Sequence, residues 1–498
     1  MSTDTDGQNA PGSAKTFPQL IRATAAAYGD APAVVLEDGD NVVDSISYRE
    51  LDELSAEIAR GLLARGIGKG ARVGFIFGNG PGFALMLAAI SRIGAIAVPI
   101  STMIRANELV RVLRQSDVQG VVMNRTMLGK DYVERIVDAL PELEGQECGA
   151  LRVRQAPFLR WIVTTGDDLP SCIAPMRFLT DAAASVDDDL LREVESEVHT
   201  ADQMIEIYTS GSMALPKGVK HNHGPVLFRS HTMREMMEHV PGKRIPCMLP
   251  MFWVGGLMMY LVPGIESGGV VVCTERTLSN SRFAMGSVLA EEDLETIRGP
   301  KPWWGLGMSE SLGPYSWGDD FRAPGRPVCA PMDHFAPGYE IRIADEENRP
   351  VGDGETGEMQ VRGYPIATGL HKIEKTEHYT PDGYYRTGDM IKVASSNVSP
   401  AEVEMELQSL EGVHSAYVVG VPDKERGNLL VAAVVPRDGA GLDLAAIAGE
   451  MRGRLSSYKV PRAYFRLERE EVPLLHSNKV ARREIAKMMA ERMGRVEA

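Results

Sequence analysis

Apolar positions in the first two hundred residues follow two alternating rhythms. In "SYRELDELSAEIARGLLARGIGKGARVGFIF", Leu51, Leu54, Ile58 and Leu62 recur at spacings of three and four, the period of one helix face. Val73 to Phe77 is then a short apolar run of strand length. The order repeats with a helix from Phe83 to Ile93, a strand from Ala95 to Ile100, and short strands in "QGVVMN" and "RWIVTT". Strands separated by helices predict a largely parallel sheet covered on both faces. After about Ile343 the texture becomes strand, turn, strand, in "YEIRIADEENRPV", "GEMQVRG" and "GYYRTGD", which predicts a β-rich region. A smaller unit begins at Met390. Ser399, Pro400 and Glu402 supply an N-cap, a first-turn proline and the Glu of a capping box, and Val403, Leu407 and Leu410 form one apolar face. The strands "SAYVVGV", "LLVAAVV" and "AYFRLE" and a helix near 442–455 complete it.

The fold class is therefore α/β. A large N-terminal domain (17–389) of mostly parallel sheets flanked by helices carries a β-rich subdomain at about 325–389, and a small α/β C-terminal domain spans 390–498. Residues 1–16 read as a loose polar tail.

Length, charge and cysteine usage narrow the chemistry. A chain of 498 residues has room for two or three cores. A net charge of -15 argues against a nucleic-acid surface, which needs clustered Lys and Arg. The five cysteines contain no CxxC pair, so neither a zinc site nor a disulfide framework is expected, and a cytoplasmic location follows. The most apolar stretch, "FALMLAAISRIGAIAVPI", is broken by Arg92 and Gly94 and closed by Pro99, short of the ~20 uninterrupted residues of a membrane span. No transmembrane segment is expected, and a homodimer is left open.

"IEIYTSGSMALPKGVKHNH" is the most informative line. A strand, Ile205 to Tyr208, enters Thr209-Ser210-Gly211-Ser212, and Lys217 follows before a helix. Small hydroxyl residues and glycine let backbone N–H groups converge on phosphate oxygens, and Lys217 adds a point charge. The GxxxxGK[ST] spacing of the commonest phosphate loop is absent. Taken alone, a plain strand-to-loop connection explains the stretch equally well. Likewise Lys479, beside Arg482 and Arg483, reads by itself as part of a basic, solvated helix start. His221 and His223 read as loop or helix-start residues and not metal ligands.

The loop nevertheless resembles the TSGTTGxPKG signature of the adenylate-forming superfamily, which includes acyl-CoA synthetases. The resemblance continues in order through "LPMFWVGGL", "GMSES", "GEMQVRG", "YYRTGD", "IKVASSNVSPAEVE", "SSYKVPR" and "PLLHSNKVARREI", over nearly the whole chain. It implies an AMP-forming acyl-CoA synthetase that joins a hydrophobic carboxylic acid (fatty, aryl or sterol-derived) to AMP and then to coenzyme A, with the small domain as a mobile lid. By that resemblance Thr209, Ser210, Gly211, Ser212 and Lys217 hold the β- and γ-phosphates of ATP. Gly307 opens the motif in which Ser309 reaches the α-phosphate and Glu310 ligates Mg2+. Asp389 accepts the ribose hydroxyls, and Lys479 touches the substrate carboxylate and α-phosphate. Trp253, Gly255 and Gly256 line the acyl pocket, the glycines letting backbone approach the substrate. Two rival readings are an acyl-AMP ligase serving a carrier protein and a non-catalytic nucleotide-binding relative.

Four departures stand out. Met213 and Ala214 replace a hydroxyl residue and a glycine of the loop, and Ser395 replaces a glycine beside the pantetheine channel. YRTGD and DMIK are fused at Asp389 and Met390, without the usual intervening strands and hinge. A stretch before "PKPWWGLGMSE" is short as well. Internal deletion, adaptation to one conformation, and a numbering closed over unseen loops all account for the fusion; the last is the expectation carried forward.

Overall fold

A computed structural model describes residues 11–104, 106–127, 129–209, 216–274, 305–317, 335–351, 356–392, 400–423, 427–437, 441–454, 460–474 and 480–496. Its centre is an eight-stranded sheet in the order 369–370, 217–222, 203–209, 96–99, 72–76, 120–123, 161–164 and 174–175. From Gln203–Thr209 to Ala174–Pro175 every neighbouring pair is parallel.

Alternate residues of one strand feed opposite faces. Val73 and Phe75 join a core with Phe83 and Leu87 of the helix Pro81–Arg92, whereas Ile76 joins Leu109 and Leu113 on the other side. The expected doubly covered sheet is thus present. The helix Tyr48–Ala64 begins where Ser47 and Glu50 form a reciprocal capping box. Its Leu51, Ile58 and Leu62 are buried, but Leu54 lies off the stripe and is exposed. A second sheet, in the order 244–246, 270–274, 32–38 and 41–47, packs on the same large core.

The signature segment departs from expectation. Lys217 opens a strand, Lys217–Asn222, that pairs antiparallel with Gln203–Thr209, and the helix starts only at His223. The hydroxyl-rich stretch is therefore the loop of a hairpin. Gly369–Leu370 pairs along the far edge of Lys217–Asn222.

The β-rich unit is a three-stranded antiparallel sheet of Tyr339–Ala344, Thr356–Gly363 and Tyr385–Lys392. The last strand crosses the fused motifs, pairing Arg386 with Gln360 on one side of Asp389 and Met390 with Glu358 on the other. The fusion is in the full sequence itself, so the expectation of unseen loops does not hold, and the two motifs form one strand. Met390 to Lys392 belong to this sheet, so the step to the small unit follows Lys392. The N-terminal tail is also shorter than expected. Pro11–Ser13 forms a 3-10 turn, and Thr16 is buried at the start of the helix Phe17–Tyr28.

The small unit stacks Pro400–Gln408, Leu444–Arg454 and Arg482–Val496 on a sheet ordered 413–423, 427–436 and 463–466. Buried Glu404 accepts from Val418 N–H at 2.6 Å and from Arg482 Nη2 at 2.8 Å, so Arg482 is an internal tie and not only a solvated cation. Among the described residues no helix is long and apolar enough to cross a membrane.

Candidate active site

Lys217 stands at the closing end of the hairpin, directly across from Thr209. Ser210, Gly211 and Ser212, with Met213 and Ala214, lie outside the described residues, as do Ser395, Lys479 and the short stretch before Gly305. The neighbouring interior is charged. Glu206, fully buried, accepts from Tyr208 Oη at 2.6 Å and from Arg72 Nε at 3.3 Å, and Arg72 reaches His371. His371 Nε2 is 3.1 Å from Asp117, while its backbone N–H donates to Gly218 O at 2.7 Å. A buried carboxylate is tolerable only when paired and hydrogen-bonded, and here the pairing anchors the strand that carries Lys217.

Ser309–Ser311 is a single 3-10 turn between the paired strands Gly305–Met308 and Gly313–Trp317. Leu312, at φ 51°, and Gly313, at φ 95°, make the reversal. A side chain on Gly307 would meet Gly313 O at 2.3 Å, so glycine there permits the two strands to cross closely. Bonds from several other elements fix the turn from outside. His221 Nε2 donates to Ser309 O at 2.7 Å, Ala367 N–H donates to Glu310 O at 2.7 Å, and Tyr385 Oη donates to Glu310 Oε1 at 2.8 Å.

Asp389 is presented by a bulge. Three residues, Thr387 to Asp389, oppose the single Met359, and Gly388 takes φ 75°. Thr387 Oγ1 donates to Met359 O at 2.7 Å, and the Glu358 carboxylate accepts Gly388 N–H at 3.0 Å. The protein around Asp389, with the Glu358 charge second, pushes its carboxyl above the ordinary carboxylate value. The fused motif has thus become one bulged strand that re-aims the carboxylate.

Electrostatics tie these three groups to one place. Lys217 and Glu310 both act on His378, whose basicity burial lowers, with Lys217 lowering it further and Glu377 and Glu310 opposing. Glu310 and Asp389 both act on the Tyr385 phenol, which burial raises well above its usual range. His378 and Tyr385 stack at 6.2 Å between ring centroids. Glu310 is thus bonded to Tyr385, while the charge of Lys217 is felt at His378 and that of Asp389 at Tyr385. Tyr385 and His378 were missed from the sequence; the run of tyrosines at 379, 384 and 385 beside the acidic motif was the available signal.

Trp253, Val254, Gly255 and Met259 are partly exposed in a segment whose other residues are buried. The glycines here have a packing use as well. A Cβ on Gly256 would meet Pro250 O at 2.2 Å, and one on Gly255 would meet Leu249 Cδ1 at 2.6 Å, so they let the segment fold back on Leu249 and Pro250.

His223 is a helix-start residue as expected, whereas His221 lies within a strand. His221 is fully buried in its strand, and burial pushes its pKa down to about 4. His223 opens its helix, accepts from Phe17 N–H at 3.2 Å and is pushed down to about 3.

Comparison with known proteins decides the family. The AMP-binding enzyme model matches residues 21–297, and that of the AMP-binding enzyme C-terminal domain matches residues 402–479. The chain belongs to the AMP-binding enzymes. The expected enzyme class, an AMP-forming carboxylate–CoA ligase, agrees with this family and with relatives that are named CoA ligases. The 3-hydroxybenzoate/4-hydroxybenzoate–CoA ligase of Thauera aromatica is 26% identical, the match covering 89% of this chain and 92% of the relative. The medium-chain acyl-CoA ligase ACSF2 of Danio rerio is 22% identical over 97% and 90%. Among solved structures, the anthranilate CoA ligase AuaEII with anthranoyl-AMP superposes at a TM-score of 0.70 with 18% identity, covering 96% of this AMP-binding enzyme and 98% of that chain.

Proposed function

We propose that this AMP-binding enzyme takes a hydrophobic carboxylic acid (fatty, aryl or sterol-derived) as its substrate and coenzyme A as its acyl acceptor. The observation that carries the reading is the bond of Glu310 to Tyr385, which stacks on His378, with the charges of Lys217 and Asp389 felt at His378 and Tyr385 respectively. Aryl–CoA and medium-chain acyl–CoA ligases among the relatives support an apolar acid, and the partly exposed Trp253 and Met259 supply an apolar wall.

In this reading Lys217 meets the β- and γ-phosphates together with Thr209, Ser210, Gly211 and Ser212, and Asp389 accepts the ribose hydroxyls. Ser309 reaches the α-phosphate, and Lys479 bridges that phosphate and the acid as charge develops. Tyr385 engages Oε1 of Glu310 and leaves Oε2 for a hard cation, so the carboxylate fits Mg2+. Among the described residues there is no cluster of three His, Cys, Asp or Glu; beside Glu310, substrate phosphates and waters would complete the ion's ligands. When bound, the ion supplies Lewis-acid stabilisation of phosphate charge. The unpaired Cys148, Cys172, Cys247 and Cys273 support a cytoplasmic setting.

The test is acid-dependent pyrophosphate release by the full chain across fatty, aryl and sterol-derived acids, with coenzyme A or a carrier protein as acceptor. Release with an apolar acid and acylation of coenzyme A are expected. No release with any acid rejects the substrate class, and faster transfer to a carrier rejects coenzyme A as acceptor.

A further inference from the structure

The segment after Trp253 does not continue as a regular α-helix. Leu257 N–H donates to Trp253 O at 3.0 Å, an α-type bond, but Gly256–Leu261 is a π-helical turn, and Val262 N–H reaches back five residues to Leu257 O. Wide turns of this kind are rare and concentrate at functional sites. The cause lies four residues beyond Met259. Pro263 has no N–H, so the carbonyl of Met259 lacks its α-type donor.

His239 fills that place. Its Nε2 lies 2.9 Å from Met259 O, and because a carbonyl can only accept, this nitrogen carries the proton. The ring is buried, and burial holds it neutral, with Lys243 adding to the effect. Its Nδ1 has no partner among the described residues, so the bond to Met259 is the side chain's one polar anchor there. His239 is delivered by a reversal just past the helix His223–Met236: Glu238 takes φ 53°, and His239 N–H donates to Arg234 O at 2.9 Å. One element thus holds the carbonyl of another across 20 residues of sequence.

Met259 is part of the segment's partly exposed surface, as are Trp253, Val254 and Gly255, while Gly256, Leu257, Met258, Tyr260 and Leu261 are buried. The width of the turn sets the angle between Trp253 and Met259 on that surface. A residue that holds the turn therefore governs the shape of what the surface can accept.

We propose that His239 is a specificity-determining positioning residue: by donating to Met259 O where Pro263 cannot, it keeps the wide turn and so fixes the Trp253–Met259 wall that sizes the acyl group. This rests on the reading of that surface as the acid pocket. His239 touches no substrate itself and acts through the backbone of Met259.

The experiment uses the full chain and a graded panel of straight-chain and aryl acids, scored by pyrophosphate release. Two variants perturb the same bond from opposite ends. His239→Leu removes the donor, and Pro263→Ala supplies a backbone N–H that lets an α-turn form. Both are expected to change the ratio of kcat/KM between the longest and shortest accepted acids by about tenfold, the scale of a methylene or so of pocket shape, and in the same direction. KM for ATP is expected to stay within about twofold, and His239→Gln, which keeps an N–H donor, is expected to restore part of the original ranking. An unchanged ranking in folded Pro263→Ala overturns the proposal, as does a loss in His239→Leu that is equal for every acid. A changed ranking requires an active parent enzyme, so wild-type failure with every acid removes the pocket reading itself and this inference with it.

Discussion

His221 Nε2 lies 2.7 Å from the carbonyl oxygen of Ser309, joining two motifs 88 residues apart. Lys217 opens the strand that carries His221, and Glu310 follows Ser309, so one buried bond sets the strand of Lys217 against the acidic turn. His221→Leu removes the donor and leaves the Ser309 carbonyl seeking another. Because a displacement of about 1 Å can cost about 100-fold in rate, pyrophosphate release should fall roughly 10- to 100-fold, with KM for the acid little changed. Equal kcat in folded His221→Leu would dismiss this coupling.

Two buried histidines give the fold an acid limit. In the native state His221 stays neutral down to about 4 and His223 down to about 3. The unfolded chain protonates each near the ordinary value of about 6.5. Unfolding therefore takes up protons as pH falls below about 6.5, and each histidine removes about 1.4 kcal/mol of stability per pH unit until its native pKa is reached. Urea midpoints should drop between pH 7 and pH 5, and His221→Asn should flatten the dependence by about one proton. A midpoint independent of pH over that interval would contradict the assignment.

Much of the fold was legible because its elements obey simple periods. Val73 to Ile76 and Gly120 to Met123 are apolar runs buried on both faces, and the small domain follows its strands in order. The strand Lys217–Asn222 was not legible, since two of its three buried positions are Gly218 and His221 and only Val219 is apolar. Histidine placed inside hid the alternation. The wide turn at Gly256–Leu261 was hidden differently: Pro263 was visible, but the donor that compensates for it comes from His239, and no local pattern announces such a partner. Of the site, Lys217, Glu310 and Asp389 were legible through motif order. Tyr385, 75 residues from Glu310, required the three-dimensional arrangement.

Lys217 is partly exposed at the end of its hairpin, so its ammonium contributes little to packing. Lys217→Ala should leave the thermal midpoint nearly unchanged while slowing adenylation. Removing a preorganised charge from a phosphate site costs about 100- to 1,000-fold. Acid-dependent ATP–pyrophosphate exchange is the direct measurement, and a rate within threefold of the parent would take Lys217 out of its proposed role.

Away from the site, Arg92 has no exposed surface and is held by Glu195, at 2.6 Å from Nε, and Asp52, at 2.7 Å from Nη1. Glu195 also receives Arg22. Breaking such a pair strands a buried charge, which typically costs about 3–5 kcal/mol. Glu195→Ala should lower the unfolding free energy by that order, while Arg49→Ala, at an exposed pair with Asp30 that solvent screens, should cost far less. Denaturant titration separates the two; equal losses would mean that burial does not govern these pairs.

Tyr385→Phe isolates the hydrogen bond to Glu310. The ring still packs against Tyr379, with centroids 5.3 Å apart, and stacks with His378, so only the phenol oxygen is lost. That oxygen donates to Glu310 Oε1 at 2.8 Å, and bonds to a charged acceptor contribute about 1.5–3 kcal/mol. Without it Glu310 is free to turn, and a carboxylate proposed to hold Mg2+ then pays an ordering cost when the ion binds. The Mg2+ concentration for half-maximal pyrophosphate release should rise, by about 10-fold if 1.4 kcal/mol of that bond is lost to binding. Saturating Mg2+ should recover most of the rate, because the ligand itself is still present. If Tyr385→Phe lowered the rate equally at every Mg2+ concentration, Tyr385 would act on some other group than the carboxylate it touches.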